Sequence, residues 1–260
     1  MLAAVCEGNA KKLAELMGQD PGFNVNLDRD GYGNTLLHHA CKGGNRRSPV
    51  IPILLAHPDI DVKVKTDHGS TPFYWACVLG YTSCVRELLK DSRVKVNEPR
   101  NDRRTPLWAA AYYRHLDIIK WWIASGREMD LGKPGESKTD AIASAKQKNE
   151  TDLVSLLEEF KENPEETRSK VRMEIGCDEA AAEMFALLVF VSDGLLQVNG
   201  TASSPAARLF NIARQLPLEF QMMLCCRLVG LTKEIISGKD SEVAFKELAK
   251  RLLCSSIFTG

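Results

Sequence analysis

Five histidines, eight cysteines and the acidic pairs Glu158–Glu159 and Glu165–Glu166 are the residues of this 260-residue chain best suited to ligate a metal, move a proton or attack a carbonyl. Each of those chemistries needs its groups to converge on one point. His38 and His39 are adjacent, so on a helix they point about 100° apart and cannot share one ion. His57, His68 and His115 fall in loops or at helix starts. No cysteine forms a CxxC pair, and no Cys/His grouping has zinc-ligand spacing. Cys41 and Cys77 follow Ala40 and Ala76 on one apolar phase, where a free thiol behaves as a small hydrophobe, which suits a reducing intracellular compartment. The glutamate pairs read as charge runs on a helix and a hinge. The chain contains no G-x-S-x-G, phosphate-binding glycine loop or H-E-x-x-H. The expectation is a protein that is not an enzyme and has no catalytic, cofactor or metal residue.

The elements that position these side chains repeat. Residues 103–123, RRTPLWAAAYYRHLDIIKWWI, hold a proline within a helical pattern, paired tyrosines and paired tryptophans. Aligning threonines gives TLLHHACKGG at 35, TPFYWACVLG at 71, TPLWAAAYYR at 105 and TDAIASAKQK at 139, spaced 36, 34 and 34 residues apart. Each block is followed by a second apolar segment: IPILLAH, CVRELLK, IIKWWIA and LVSLLEE. Ala4 and Gly8 keep the gap of Ala40/Gly44 and Ala76/Gly80, so KKLAELM belongs to a degenerate first copy. Thr caps the first helix, and Pro72 and Pro106 sit where an amide hydrogen would be unpaired anyway, so they start helices. Gly8, Gly44 and Gly80 close the first helix in the left-handed region. Arg114 stands where glycine is expected, at modest strain, and one extra residue places Asn149 at that turn in the fifth copy. Two extra residues around NRRSPVIP, with Pro49 and Pro52, predict an irregular second helix or a longer inter-helix loop in the second copy. Ile118, Ile119, Trp122 and Ile123 are expected to pack between copies, with Trp121 nearer the surface.

This pattern resembles the ankyrin repeat, a unit of about 33 residues with two helices, a β-turn and a T-P-L-H-x-A signature. Thr35, His38 and Ala40 carry it, followed by Thr71, Pro72 and Ala76, then Thr105, Pro106, Leu107 and Ala110. The resemblance implies an all-α solenoid of five helix-turn-helix repeats, about 1–34, 35–70, 71–104, 105–138 and 139–162. Residues 163–260 form a separate helical region. The ring of His38 should then hydrogen-bond the preceding turn. Tyr74 and Trp108 replace that histidine, losing its hydrogen bond and adding buried area.

An ankyrin stack implies protein binding through its concave groove and turn tips. On the tips the candidates are Tyr32, Asn34, His68, Ser70, Asp102 and Arg104. In the groove, the two residues before the closing position give Lys42, Val78, Leu79, Tyr112 and Tyr113. Tyr112 and Tyr113 have the aromatic character of a binding hot spot; the alternative is packing against a neighbouring element such as the chain's own tail. A charged turn residue is otherwise a solvated loop.

Thirty-four Lys+Arg balance thirty-four Asp+Glu. The basic excess common in nucleic-acid binders is absent, so no nucleic-acid partner is expected. The most apolar run, MFALLVFV at 184–191, is well short of the roughly 20 residues that a span needs. No membrane role is expected, and the setting is intracellular, in the cytoplasm or the nucleus. The N-terminus reads as beginning inside a helix, so further repeats would precede it if the chain is a fragment.

Past a charged hinge at 161–170, helices are expected over 171–198, 205–215, 217–230 and 240–254. NGTASSPAA is a linker, and Asp240 or Ser241 caps the last helix. Phe245, Leu248, Ala249, Leu252 and Leu253 give that helix an amphipathic face. QLPLEFQMMLCCRLVG, 215–230, loosely resembles the first helix of an F-box and, more faintly, a SOCS box; either would imply a substrate adaptor of a ubiquitin ligase. The plainer reading is a helix starting at Pro217 with Leu218, Met222 and Leu224 to Cys226 partly buried.

Overall fold

The computed structural model describes residues 1–20, 22–26, 30–192 and 215–228, with residues 213, 231, 236, 241, 244 and 245; side chains are described to Val189 in the first long stretch, those of Asp178 and Glu179 excepted. The described residues are helical and contain no strand. The chain divides into two compact units, Met1–Arg168 and Ser169–Gly260.

The first unit is a row of helix pairs: α1 (Leu2–Glu7) with α2 (Ala10–Gln19), α3 (Leu36–Lys42) with α4 (Ile51–Leu55), α5 (Pro72–Leu79) with α6 (Thr82–Lys90), α7 (Pro106–Tyr112) with α8 (Leu116–Ser125), and α9 (Ala141–Gln147) with α10 (Thr151–Glu162). The inner helices α1, α3, α5, α7 and α9 touch in that order, as do the outer helices α2, α4, α6 and α8. Each pair is too small to bury its apolar side alone, so stacking supplies the core. Trp122, Ile118, Ile119 and Phe73 are wholly or almost wholly buried between repeats, and the Phe73 and Trp122 rings meet edge to face at 5.0 Å. Trp121 is half-buried under the Arg86 guanidinium, 3.9 Å from its ring centre.

The threonine register sets the inner helices. The hydroxyls of Thr71 and Thr105 accept from the amides of Tyr74 and Trp108, with Pro72 and Pro106 at the first helical turn. Asp140 does the same for Ala143 and takes the capping place in the fifth repeat. The closing positions are left-handed at Gly8, Gly80, Arg114 (φ 67°) and Asn149 (φ 57°). In the second repeat Gly43 ends α3, and Gly44 (φ 87°) leads into a 3-10 helix, Asn45–Val50, before α4. That is where the two additional residues and Pro49 go.

His38 differs from expectation. Its Nδ1 faces the amide and hydroxyl of its own cap, Thr35, while its Nε2 lies 3.0 Å from the Ser70 carbonyl at the following turn. The ring therefore ties its repeat forward, since it reaches across the stack to the next turn. Tyr74 also keeps a polar link: burial pushes its phenol up, opposed by the charge and hydrogen bond of Arg100 in the next turn.

The stretch read as a hinge is helical. Past α10, Asn163 alone interrupts, and α11 runs over Pro164–Glu174. Asn163 accepts the Glu166 amide and donates to the Glu166 carboxylate, a reciprocal cap that starts a helix from a charged sequence. Gly176 (φ 66°) then separates α11 from α12, Cys177–Ser192, within the range read as one helix. In the second unit α12 packs against α13, Leu218–Leu228. On α13 Gln221, Cys225 and Cys226 are buried, while Leu218 and Phe220 are more than half exposed, unlike the partly buried Leu218 expected. The linker at 199–207 and the Leu248–Leu253 face lie outside the described residues, as do the helices over 205–215 and 240–254 apart from single positions.

Candidate partner-binding groove

Two surfaces of the stack face outward from rigid backbone. At the tips, hydrogen bonds close each turn and join it to its neighbour. Asp30, Thr66 and Arg100 amides donate to the carbonyls of Asn34, Ser70 and Arg104, and the Asp67 and Asn101 amides donate to Tyr32 and His68 carbonyls. Tyr32 projects with 70% exposure and His68 is also exposed. Asn34 and Ser70 are buried inside this ladder. The Asn34 amide binds the Asp30 carboxylate, and the Ser70 carbonyl faces His38. Burial pushes the Asp30 carboxyl up, but bonds from Asn34 and Tyr32 and the nearby His39 outweigh it and hold it below its ordinary value. Asp102 sits between Arg100 and Arg104, each Nε 3.7 Å from one of its oxygens. The tips thus bring Tyr32, His68, Asp102 and Arg104 to the rim.

The inner helices supply the groove floor. Lys42 lies over the Trp75 ring, Nζ 4.5 Å from its centre. Val78 and Tyr112 pack on the buried cluster of Tyr74, Trp108 and Ala109. Trp108 and Tyr112 stack at 4.9 Å, and Tyr113 meets Tyr112 edge to face at 5.2 Å. Arg104 covers Trp108 at 5.0 Å, and Lys148 covers Tyr112 at 3.9 Å. Leu79 and Tyr113 stand out by 36% and 48%. The result is an aromatic floor with cations parked on it. Such faces bind planar or apolar groups by burial and acidic ones by charge.

Trp75 and Lys148 were not among the residues picked from sequence. Both were within reach of the register: Trp75 is four after Thr71, and Lys148 directly precedes the closing Asn149. The indole Nε1 of Trp75 is buried without an acceptor among the described residues.

Stacked helix hairpins with a continuous side-chain floor on one row and linked turns at its rim define a helical-repeat protein built for recognition. The family profile described as ankyrin repeats (3 copies) matches residues 1–100 and 48–131. The chain belongs to the ankyrin-repeat family. It is 33% identical over 134 residues to the SMC5-SMC6 complex localization factor protein 1 of Bos taurus, covering 50% of this chain and 12% of that protein, with the same figures for the Homo sapiens protein. Alpha-latrocrustotoxin-Lt1a of Latrodectus tredecimguttatus is 29% identical over 146 residues, 56% of this chain and 10% of the toxin. Ankyrin repeat domain-containing protein 49 of Homo sapiens is 40% identical over 55 residues, 21% of this chain and 23% of that protein. The match to the first of these relatives spans about an eighth of their length. No helix among the described residues is long and apolar enough to cross a membrane.

Proposed function

We propose that this chain is a protein-interaction module whose repeats grip a partner protein in the groove between α3 and α9 and on the turn tips. One observation carries the reading: Leu79 and Tyr113 stand exposed on helices whose opposite sides are buried core. Apolar and aromatic side chains held on rigid elements lose little entropy on binding, which is the property of hot-spot residues. Tyr32, His68, Asp102 and Arg104 then read the partner's polar groups from the rim. Asn34 and Ser70 act through the ladder that sets the rim's shape. The likeness to a localization factor of the SMC5-SMC6 complex supports a nuclear setting for the partner, with the cytoplasm as the alternative. Residues 163–260 serve as a second surface.

A second reading, adaptor in a ubiquitin ligase through 215–230, draws on the exposed Leu216, Leu218 and Phe220 of that segment. It ranks below the groove because the repeats, and not that segment, carry the family resemblance.

A photo-cross-linking residue at position 113, compared with one at Asp117 on the outer α8, tests the groove. Cross-links to another protein from 113 and not from 117 are the expected outcome. Equal labelling from both, or labelling from 117 only, overturns it.

A further inference from the structure

The charge of the inner row departs from the neutral balance of the whole chain. The helices α3, α5, α7 and α9 read LLHHACK, PFYWACVL, PLWAAAY and AIASAKQ, with no aspartate or glutamate in any of them. Acidic residues lie on the outer row instead, at Glu87, Asp117, Asp152 and Glu158, apart from Glu7 at the end of the inner α1, which pairs with Lys12. At the rim the carboxylates are engaged: Asp30 by Asn34 and His39, Asp102 by its two arginines, Glu136 by Arg103 and Glu150 by Arg114. Asp67 stays exposed at a tip, away from the floor.

Lys42 and Lys148 stand at opposite ends of that floor, and each ammonium rests on an aromatic ring without a carboxylate partner among the described residues. A ring face holds an exposed ammonium only weakly, while a carboxylate offers a stronger, charge-assisted hydrogen bond. Both lysines are thus held in place and still available. Three helix-to-helix steps, on the order of 25–30 Å at 8–10 Å per step, separate the helices that carry them, and the ammoniums lean inward onto Trp75 of α5 and Tyr112 of α7, closer together than that. An extended chain of about nine residues therefore spans the two charges with residues to spare. Val78, Leu79 and Tyr113 fill the space between.

We propose that the groove's occupant is an extended acidic segment of a partner protein, with a carboxylate near each end meeting Lys42 and Lys148 and an apolar side chain between them on Leu79 and Tyr113. This rests on the groove reading above and adds the partner's chemistry. The lysines select charge and register, and the apolar centre supplies the burial.

A positional-scanning library of nonapeptides, read by fluorescence anisotropy against the full chain, tests it. Selected peptides are expected to carry Asp or Glu near both ends and an apolar or aromatic residue centrally, and to weaken in high salt. Lys42→Glu with Lys148→Glu should weaken the best peptide by about tenfold or more, and exchanging its end carboxylates for lysines should restore binding to that double variant. Lys42→Gln with Lys148→Gln gives the same loss with a gentler change, and unaltered circular dichroism shows that either variant is folded. Neutral or basic peptides that bind as well and are lost on Tyr113→Ala overturn the acidic chemistry and leave the groove standing. An empty selection, or peptides indifferent to Tyr113→Ala and to both lysine variants, overturns the proposal and the groove together. Cross-links from position 113 to the chain's own residues 169–260 make the tail the occupant and also overturn it.

Discussion

Tyr113 and Trp75 both belong to the floor but differ in what their replacement would do. Tyr113 is half exposed, so Tyr113→Ala should change stability by under about 1 kcal/mol while costing partner affinity at least tenfold, the mark of a hot spot. Thermal melts alongside a binding isotherm separate the two. Trp75→Phe removes an indole N–H that is buried without an acceptor among the described residues. The relief of that donor offsets the lost ring area, and the expected net change is within about 1 kcal/mol, measured by urea denaturation. His38 sits at the other extreme, wholly buried with both ring nitrogens engaged. His38→Leu would strand the Thr35 amide and leave the Ser70 carbonyl with the Thr66 amide alone, at about 1–3 kcal/mol. The role of His38 was legible in the signature, but the direction of its outward bond was not. A one-dimensional register says which residue replaces which, and only the packed stack says which neighbour lies across from it.

At the scale of the helices, closing positions and exits decide stability. Gly80 adopts φ 76°, and a Cβ there would lie 2.6 Å from the His115 ring, whose Nε2 is 3.0 Å from the Val78 carbonyl. Gly80→Ala therefore combines backbone strain with displacement of that ring, an expected loss of about 1–3 kcal/mol. The left-handed turns at Arg114 and Asn149 could be placed from the repeat register alone, because the backbone requirement persists whichever residue meets it. The start of α11 could not: its composition resembles a solvated linker, and the reciprocal Asn163–Glu166 cap is a local geometry that charge counting overlooks. The helix exits are tied by arginines. Arg93 donates to the Leu55 carbonyl and pairs with Asp91, and Arg127 donates to the carbonyls of Leu89, Asp91 and Val94. Burial pushes the Asp91 carboxyl up, but hydrogen bonds from Arg93 and the charges of Arg93 and Arg127 outweigh it, leaving it below its ordinary value. A depressed carboxyl contributes stability above its unfolded pKa of about 3.9 and loses it as pH falls through the lower folded value. Asp91→Asn should accordingly flatten the acid limb of the stability profile, read as urea midpoints from neutral pH to the onset of acid unfolding.

For the whole stack, stability is set by neighbours. α5, α6 and α7 are flanked on both sides by other repeats, and Trp122 and Phe73 meet within this part of the stack. Amide hydrogen exchange should be slowest there and fastest at α1 and α2, in keeping with a nearest-neighbour array. The groove was the part of the site that the period made legible, since two residues per repeat fall on it by position. Its charge was hidden, because thirty-four positive and thirty-four negative residues cancel and only the separation of inner from outer helices reveals the cationic floor.

The arginines at the helix exits also bear on how such an array can lengthen. Arg93 and Arg127 each reach back 38 residues to an outer-helix carbonyl of the repeat before, Leu55 and Leu89. The clasp therefore travels with the copied unit. A tandem duplication of residues 71–104 would arrive already carrying the fastener for its predecessor, and the gene could gain a repeat without waiting for a compensating mutation.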